Sequence, residues 1–162
     1  MDFKIYHIPT REEGQIYAFA GPLNHRVKDF AVKYLNKLGV KIVVNLLSES
    51  ENKLYALENQ RKTYEALNIQ LEEFPIQDFN TPVSSDNFKK LIRFLSDEVI
   101  VGKSIGIHCM AGVGRTGILA VSLLCALGMG TQEAMQHVSQ HRECKIPDTE
   151  EQMQWLQEFN QR

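Results

Sequence analysis

The densest run of chemistry-bearing residues in the chain is HCMAGVGRTG, residues 108 to 117. Cys109 offers a sulfur nucleophile, and Arg115 follows it six positions later. Gly112, Gly114 and Gly117 let the intervening backbone turn tightly, so that successive N–H groups can ring a small tetrahedral anion. The planar fork of Arg115 can return to the mouth of that ring and hold two oxygens of the anion. Backbone dipoles, a helix N-terminus and a guanidinium all favour the thiolate, so Cys109 is expected to attack the central atom of the anion resting above it. Thr116 is placed to donate its hydroxyl to the sulfur and to stabilise it when it leaves again. His108 is expected to orient the loop by hydrogen bonds, not to touch substrate.

Such a loop works only if a strand delivers the cysteine and a helix starts behind it. The pattern supplies both. Ser104 to His108 reads as a short strand, and an apolar helix runs from about Arg115 to Leu127 before Gly128. Upstream, Phe3 to Ile8 and Gln15 to Ala20 read as extended, with Gly21 and Pro22 closing the second. A helix is predicted from about His25 to Leu38, with Val27, Phe30, Ala31, Tyr34, Leu35 and Leu38 on its apolar face and Gly39 at its C-cap. Val40 to Leu47 is nearly continuous and β-branched, as in a strand covered on both faces. Glu51 to Leu67 reads as helix and Ile69 to Ile76 as strand, followed by a loop from Gln77 to Val83. Ser84 or Ser85 caps a helix to about Val101 with Phe88, Leu91, Ile92, Leu95 and Val99 on one face, ended by Gly102. Two further helices, Thr131 to His141 and Thr149 to Gln161, close the chain. The alternation predicts a single-domain α/β fold over residues 1–162, with a mainly parallel central sheet flanked by helices. In such sheets ligands bind beyond the carboxyl ends of the strands, where residues 108 to 117 fall.

CxxGxxR followed by Thr and Gly and preceded by His resembles the signature of the cysteine-based protein tyrosine phosphatase superfamily. The length and layout are similar to its small atypical dual-specificity branch, over about Gln15 to Phe159. The resemblance implies a phosphatase-type phosphate loop between the last strand and its helix, with the backbone of Met110, Ala111, Gly112, Val113 and Gly114 cradling phosphate beside Arg115. It implies a reaction in two steps, in which the cysteine takes the phosphoryl group and water removes it, with no metal and no cofactor. A carboxylic acid must protonate the leaving oxygen. The family places an aspartate followed by proline in a mobile loop before the signature. Asp78, in PIQDFNTPV and 31 positions before Cys109, fits that place. Asp86 and Asp97 fall inside the predicted helix. Met110 and Val113 stand where phosphoinositide-specialised relatives often carry lysines, and no segment matches the tyrosine-recognition loop of phosphotyrosine-selective relatives. A shallow pocket accepting phosphotyrosine and phosphoserine or phosphothreonine is therefore implied. The alternatives are a phosphoinositide or RNA 5′-triphosphate substrate, or a module that binds phosphoproteins without turnover. HRECKIPDTEEQ replaces the RPG turn that precedes a glutamine in small relatives, so Gln152 is either a site residue or the partner of Thr149 in a T-x-x-Q capping box.

Composition sets the outer bounds. With 43% hydrophobic residues the chain can fill a core, and a net charge of −2 argues against non-specific nucleic-acid or membrane binding. A phosphorylated protein is the expected partner, and a monomer the expected state. No run approaches the ~20 apolar residues of a bilayer span. The N-terminus lacks a signal-peptide pattern and the C-terminus lacks a prenylation cysteine, so a cytoplasmic setting is expected, delivery as a microbial effector aside. Cys109, Cys125 and Cys144 are an odd set without CxxC. They argue against a disulfide framework and for a reducing compartment, with Cys125 expected in the core and Cys144 on the surface. His137 and His141, one turn apart near Cys144, read as a polar helix face rather than a metal site. Lys89, Lys90 and Arg93 read as a solvated helix face.

Overall fold

The computed structural model describes residues 3–21, 23, 27–54 and 58–161. Among the described residues five strands form one sheet: β1 (Ile5–Ile8), β2 (Ile16–Ala20), β3 (Val40–Asn45), β4 (Gln70–Glu73) and β5 (Ser104–Cys109). Their order is β1-β2-β5-β3-β4, with β1 antiparallel at one edge and the other pairings parallel. The α/β fold with a mainly parallel sheet is thus as expected from the alternating pattern.

Side-chain alternation sorts the sheet into two cores. Ile16, Ala18, Ile42, Val44, Ile105 and Ile107 face one cluster, covered by α4 (Ser85–Ile100), α5 (Gly114–Ala126), α6 (Thr131–Arg142) and α7 (Glu150–Asn160). Tyr17, Phe19, Val40, Val43 and Leu71 face the other, covered by α1 (Lys28–Lys37) and α3 (Glu58–Glu65). Between them, α2 (Glu49–Leu54) buries no residue. At Gly106 a Cβ would stand 3.2 Å from both Phe19 and Val43, so glycine lets the central strand lie close under those side chains. Among the described residues, no helix is long and apolar enough to cross a membrane.

Several element boundaries differ from expectation for identifiable reasons. The first helix starts at Lys28, and the predicted start at His25 lies outside the described residues. It buries Ala31, Val32 and Leu35, while Phe30 and Tyr34 are 58% and 44% exposed and stack on each other. Apolar residues occupy two adjacent stripes of this helix, and periodicity alone does not say which one meets the sheet. The predicted helix over Glu51 to Leu67 divides into α2 and α3, with residues 55–57 outside the described set. β4 is shorter than the predicted Ile69 to Ile76 because Pro75 has no N–H to continue the ladder. Even so, Phe74 and Ile76 donate to Asn45 and Leu46, and the chain stays beside the exit of β3. The last strand runs one residue further than predicted, making Cys109 its terminal residue.

Candidate active site

Parallel strands bring their carboxyl ends to one edge of the sheet. Asn45 of β3 lies in register with His108 of β5 and with Glu73 of β4. The segments that follow, Ser48 to Glu51, Ile76 to Asp78 and Met110 to Gly114, therefore meet. Cys109 is 2% exposed at the bottom of this meeting point. Thr116, in the first turn of α5, donates its hydroxyl to the sulfur at 3.1 Å, the contact expected from the sequence. Because α5 starts at Gly114, the N–H groups of its first turn have no intrahelical acceptor and point their partial positive charge at the same place.

The loop backbone is held from outside by Arg142. Its guanidinium donates to the carbonyls of Gly112 at 2.7 Å and Ala111 at 2.8 Å and lies 3.9 Å over the ring of Tyr6. A planar peptide sends its N–H opposite to its C=O, so these bonds fix the N–H groups of Gly112 and Val113 on the side of the loop away from Arg142. At Gly112 φ is +71°, and a Cβ would stand 2.7 Å from the Phe19 carbonyl oxygen. Both its backbone conformation and its packing thus require glycine.

Arg115 is 1% exposed, and its charge is balanced by a residue the sequence reading missed. Glu51 accepts from both ends of the guanidinium, at 2.6 Å and 3.1 Å, while Nη1 also donates to the Ile76 carbonyl at 2.9 Å. Burial alone would weaken the hold of Arg115 on its proton. The hydrogen bond to Glu51 and the negative charges of Cys109, Glu51 and Asp78 outweigh it, and its pKa is raised. The reciprocal hydrogen bond lowers Glu51 to about 2, against burial. Nε of Arg115 is buried without a partner among the described residues. Glu51 is placed by the start of α2. Its backbone N–H donates to Ser48 Oγ at 3.2 Å, and Ser48 N–H donates back to its carboxylate at 2.8 Å. That is the S-x-x-E capping box, legible as SESE at residues 48 to 51, and it was the signal available in the sequence.

Asp78 follows the Ile76 exit. Its Oδ1 lies 3.3 Å from Arg115 Nη2 and accepts from the N–H of Phe79 at 3.0 Å, with the side chain half exposed. Phe79 turns the chain at φ +62°, and the following Asn80 carbonyl accepts from Gln152 Nε2 at 3.0 Å. Gln152 is fully buried and also completes the capping box with Thr149. Its amide oxygen serves the cap, as the T-x-x-Q reading expects, while its nitrogen ties the loop that carries Asp78.

His108 lies beside the loop at the end of β5. It is 1% exposed and stacks on Phe19 at 5.2 Å, and its Nδ1 has no hydrogen-bond partner among the described residues. Desolvation pushes its pKa down to about 4, partly opposed by a hydrogen bond to the Cys109 backbone. It packs as a neutral ring under the loop. Gly21 admits it, since a Cβ there would stand 2.2 Å from Nδ1. Elsewhere, His137 bonds the Pro9 carbonyl and His141 the His137 carbonyl. Cys144 is half buried against the core, not on the surface, because Glu143 at φ +64° turns the chain back inward. Cys125 is likewise half buried, in the last turn of α5, and burial raises its pKa.

What this arrangement can do chemically is hold a tetrahedral anion over a hydrogen-bonded sulfur, with a buried cation and a carboxyl group at its rim. Comparison with known proteins agrees with that capacity. The family described as dual specificity phosphatase, catalytic domain, matches residues 25–162. Dual specificity protein phosphatase 22-B of Danio rerio is 36% identical over 74 residues, which is 45% of this chain and 40% of that protein. The chain thus matches under half of that relative's length. A crystal structure of kinase associated phosphatase with its catalytic cysteine replaced by serine superposes with a TM-score of 0.86 over 99% of this chain and 96% of that one, at 19% identity. Tk-PTP in its active form gives 0.78 over 100% and 99%, at 28% identity. With a family match running from residue 25 to residue 162, the chain belongs to the dual specificity phosphatase catalytic-domain family.

Proposed function

We propose that this chain is a cysteine-dependent phosphoric monoester hydrolase acting on phosphotyrosine and phosphoserine or phosphothreonine in proteins. The observation that carries the reading is the convergence of the Thr116-bonded Cys109 sulfur, the buried Arg115 and Asp78, 3.3 Å from that arginine, at one end of the sheet. In the first step the Cys109 thiolate attacks phosphorus and the bond to the leaving oxygen breaks. That oxygen takes the proton of Asp78, while Arg115 and the backbone N–H groups of residues 110 to 115 hold the other three oxygens. In the second step the Asp78 carboxylate takes a proton from water, whose oxygen bonds to phosphorus as the P–S bond breaks. The sulfur leaves as thiolate, stabilised by the Thr116 hydroxyl.

The scheme uses protein groups alone. Protein substrates are favoured over phosphoinositides or RNA 5′-triphosphate because Met110 and Val113 add no cation to the loop, and because the relative from Danio rerio is a dual specificity protein phosphatase by name. A non-catalytic binding module would not need cysteine, arginine and aspartate together. A monomer in the cytoplasm, where thiols stay reduced, suits this chemistry.

The test is turnover, with a chelator present, of phosphotyrosine and phosphothreonine peptides, phosphoinositides and triphosphorylated RNA. The peptides are expected to turn over fastest, and Cys109→Ser to lose on the order of 10³-fold or more. Undiminished activity in the serine variant would overturn the assignment of the nucleophile, and faster turnover of phosphoinositide or RNA would overturn the substrate class.

A further inference from the structure

Away from the phosphate loop, residues of α4, α5 and α7 line an open cleft of about 370 Å³. This lies within the range of small-molecule sites, about 300 to 1,000 Å³. Its apolar lining is Ile92 of α4, Ala126 and the half-buried Cys125 of α5, and Phe159 of α7, beside the buried hydroxyls of Ser96 and Ser122. Ser122 and Asn160 also line it, and Asn160 donates to the Ser122 hydroxyl at 3.3 Å and to the Leu156 carbonyl at 3.0 Å.

Lys89 and Arg93 also line the cleft, one helical turn apart and exposed. Among the described residues no carboxylate lines the cleft, and neither cationic group forms an ion pair or a hydrogen bond. Asp97, one turn beyond Arg93, forms no ion pair with it, and the nearby Glu98 is taken by Lys103 at 2.6 Å. Two cations without ion-pair partners beside apolar lining attract an anion and reward it for carrying an apolar body. A polyanion or an anionic membrane would need a broader basic surface, and the chain as a whole is net negative at −2.

We infer that this cleft is a second binding site, separate from the phosphate loop, for a small amphipathic anion. The carboxylate or sulfonate of such a molecule lies between Lys89 and Arg93, and its chain or ring lies on Ile92, Ala126 and Phe159. Nothing in this assignment depends on the catalytic reading of Cys109.

The single tryptophan of the chain makes the site observable. Trp155 stacks on Phe159 at 4.7 Å, so a fluorophore in the cleft receives its excitation energy. Titration of the native chain with anilinonaphthalene sulfonate is expected to give saturable energy transfer at one probe per chain. Decanoate displaces the probe, decanol at equal concentration does not, and saturating inorganic phosphate leaves it bound. Lys89→Gln with Arg93→Gln is expected to weaken the probe about tenfold, the size of a lost charged hydrogen bond. Ala126→Phe fills the cleft and abolishes binding while aryl phosphate turnover persists. All three positions are exposed, and thermal unfolding checks that the variants fold. Displacement by decanol as effective as by decanoate, competition by phosphate, or unchanged affinity in the double charge variant would each sink the proposal. The first two are read on the native chain and are independent of any variant's folding.

Discussion

Glu51 and Asp78 are two carboxylates facing one guanidinium, and their settings give them different work. Glu51 grips both ends of Arg115 from a half-buried position, while Asp78 touches one end from a half-exposed loop. Removing the charge of Glu51 leaves the buried Arg115 with only the half-exposed Asp78 as counter-ion, a change that costs up to about 3 kcal/mol in similar pairs. Glu51→Gln is therefore expected to lower the urea midpoint and, by letting the fork drift, to reduce kcat/KM on the order of 10²-fold. Urea unfolding and aryl phosphate kinetics on one preparation check both. Asp78→Asn should leave stability nearly unchanged, because half-exposed ion pairs contribute little. Its turnover should fall about 10²-fold on alkyl phosphates and far less on nitrophenyl phosphate, whose leaving group needs no proton. An equal loss on both substrates would argue against proton donation. For the native chain the proposed pairing of a thiolate with a protonated acid predicts a bell-shaped pH profile of turnover.

At the scale of elements, α4, α5 and α7 each begin near the site, so their starting turns set its geometry. Ser84 caps α4 just after the aspartate loop, Gly114 opens α5, and Thr149 with Gln152 caps α7. The last of these separates two roles cleanly. Thr149→Ala removes the cap and is expected to cost about 1 kcal/mol with little loss of turnover. Gln152→Ala keeps the Thr149 cap, removes the reciprocal half of the box and frees Asn80, so it is expected to slow turnover of alkyl phosphates in addition. Thermal unfolding and leaving-group series on both variants make the comparison. T-x-x-Q and S-x-x-E were both legible as helix starts, since capping is a local interaction. That one partner would reach the aspartate loop and the other the buried arginine was not legible. Those contacts join residues 72 and 64 positions apart.

For the whole molecule, the burial of His108 and the pairing of Glu51 with Arg115 make stability depend on acid in two overlapping windows. Folded His108 binds its proton only near pH 4, against 6.5 for an ordinary histidine. As pH falls through that interval the unfolded chain takes a proton that the folded chain refuses. Stability fully present above 6.5 is lost by about 4, an amount of roughly 3 kcal/mol. Glu51, lowered from 4.5 to about 2, continues the loss across that lower interval. Urea unfolding at a series of pH values is expected to show both. His108→Asn should flatten the upper window and Glu51→Gln the lower.

By itself the sequence determined what is local: the CxxGxxRTG loop, the helix caps, the β-branched strand ahead of it, and hence the family and the sheet that presents the cysteine. These are properties of neighbouring residues, and spacing and propensity record them directly. Only the tertiary structure decided which partner each charge would meet and which stripe of an apolar helix would be buried. Glu51 reaches Arg115, Arg142 holds the loop carbonyls, and Phe30 faces outward although its spacing matches that of the buried Ala31 and Leu35. Parallel strands bring distant segments to one edge, and the pairing that results depends on packing across the sheet, which no single segment encodes.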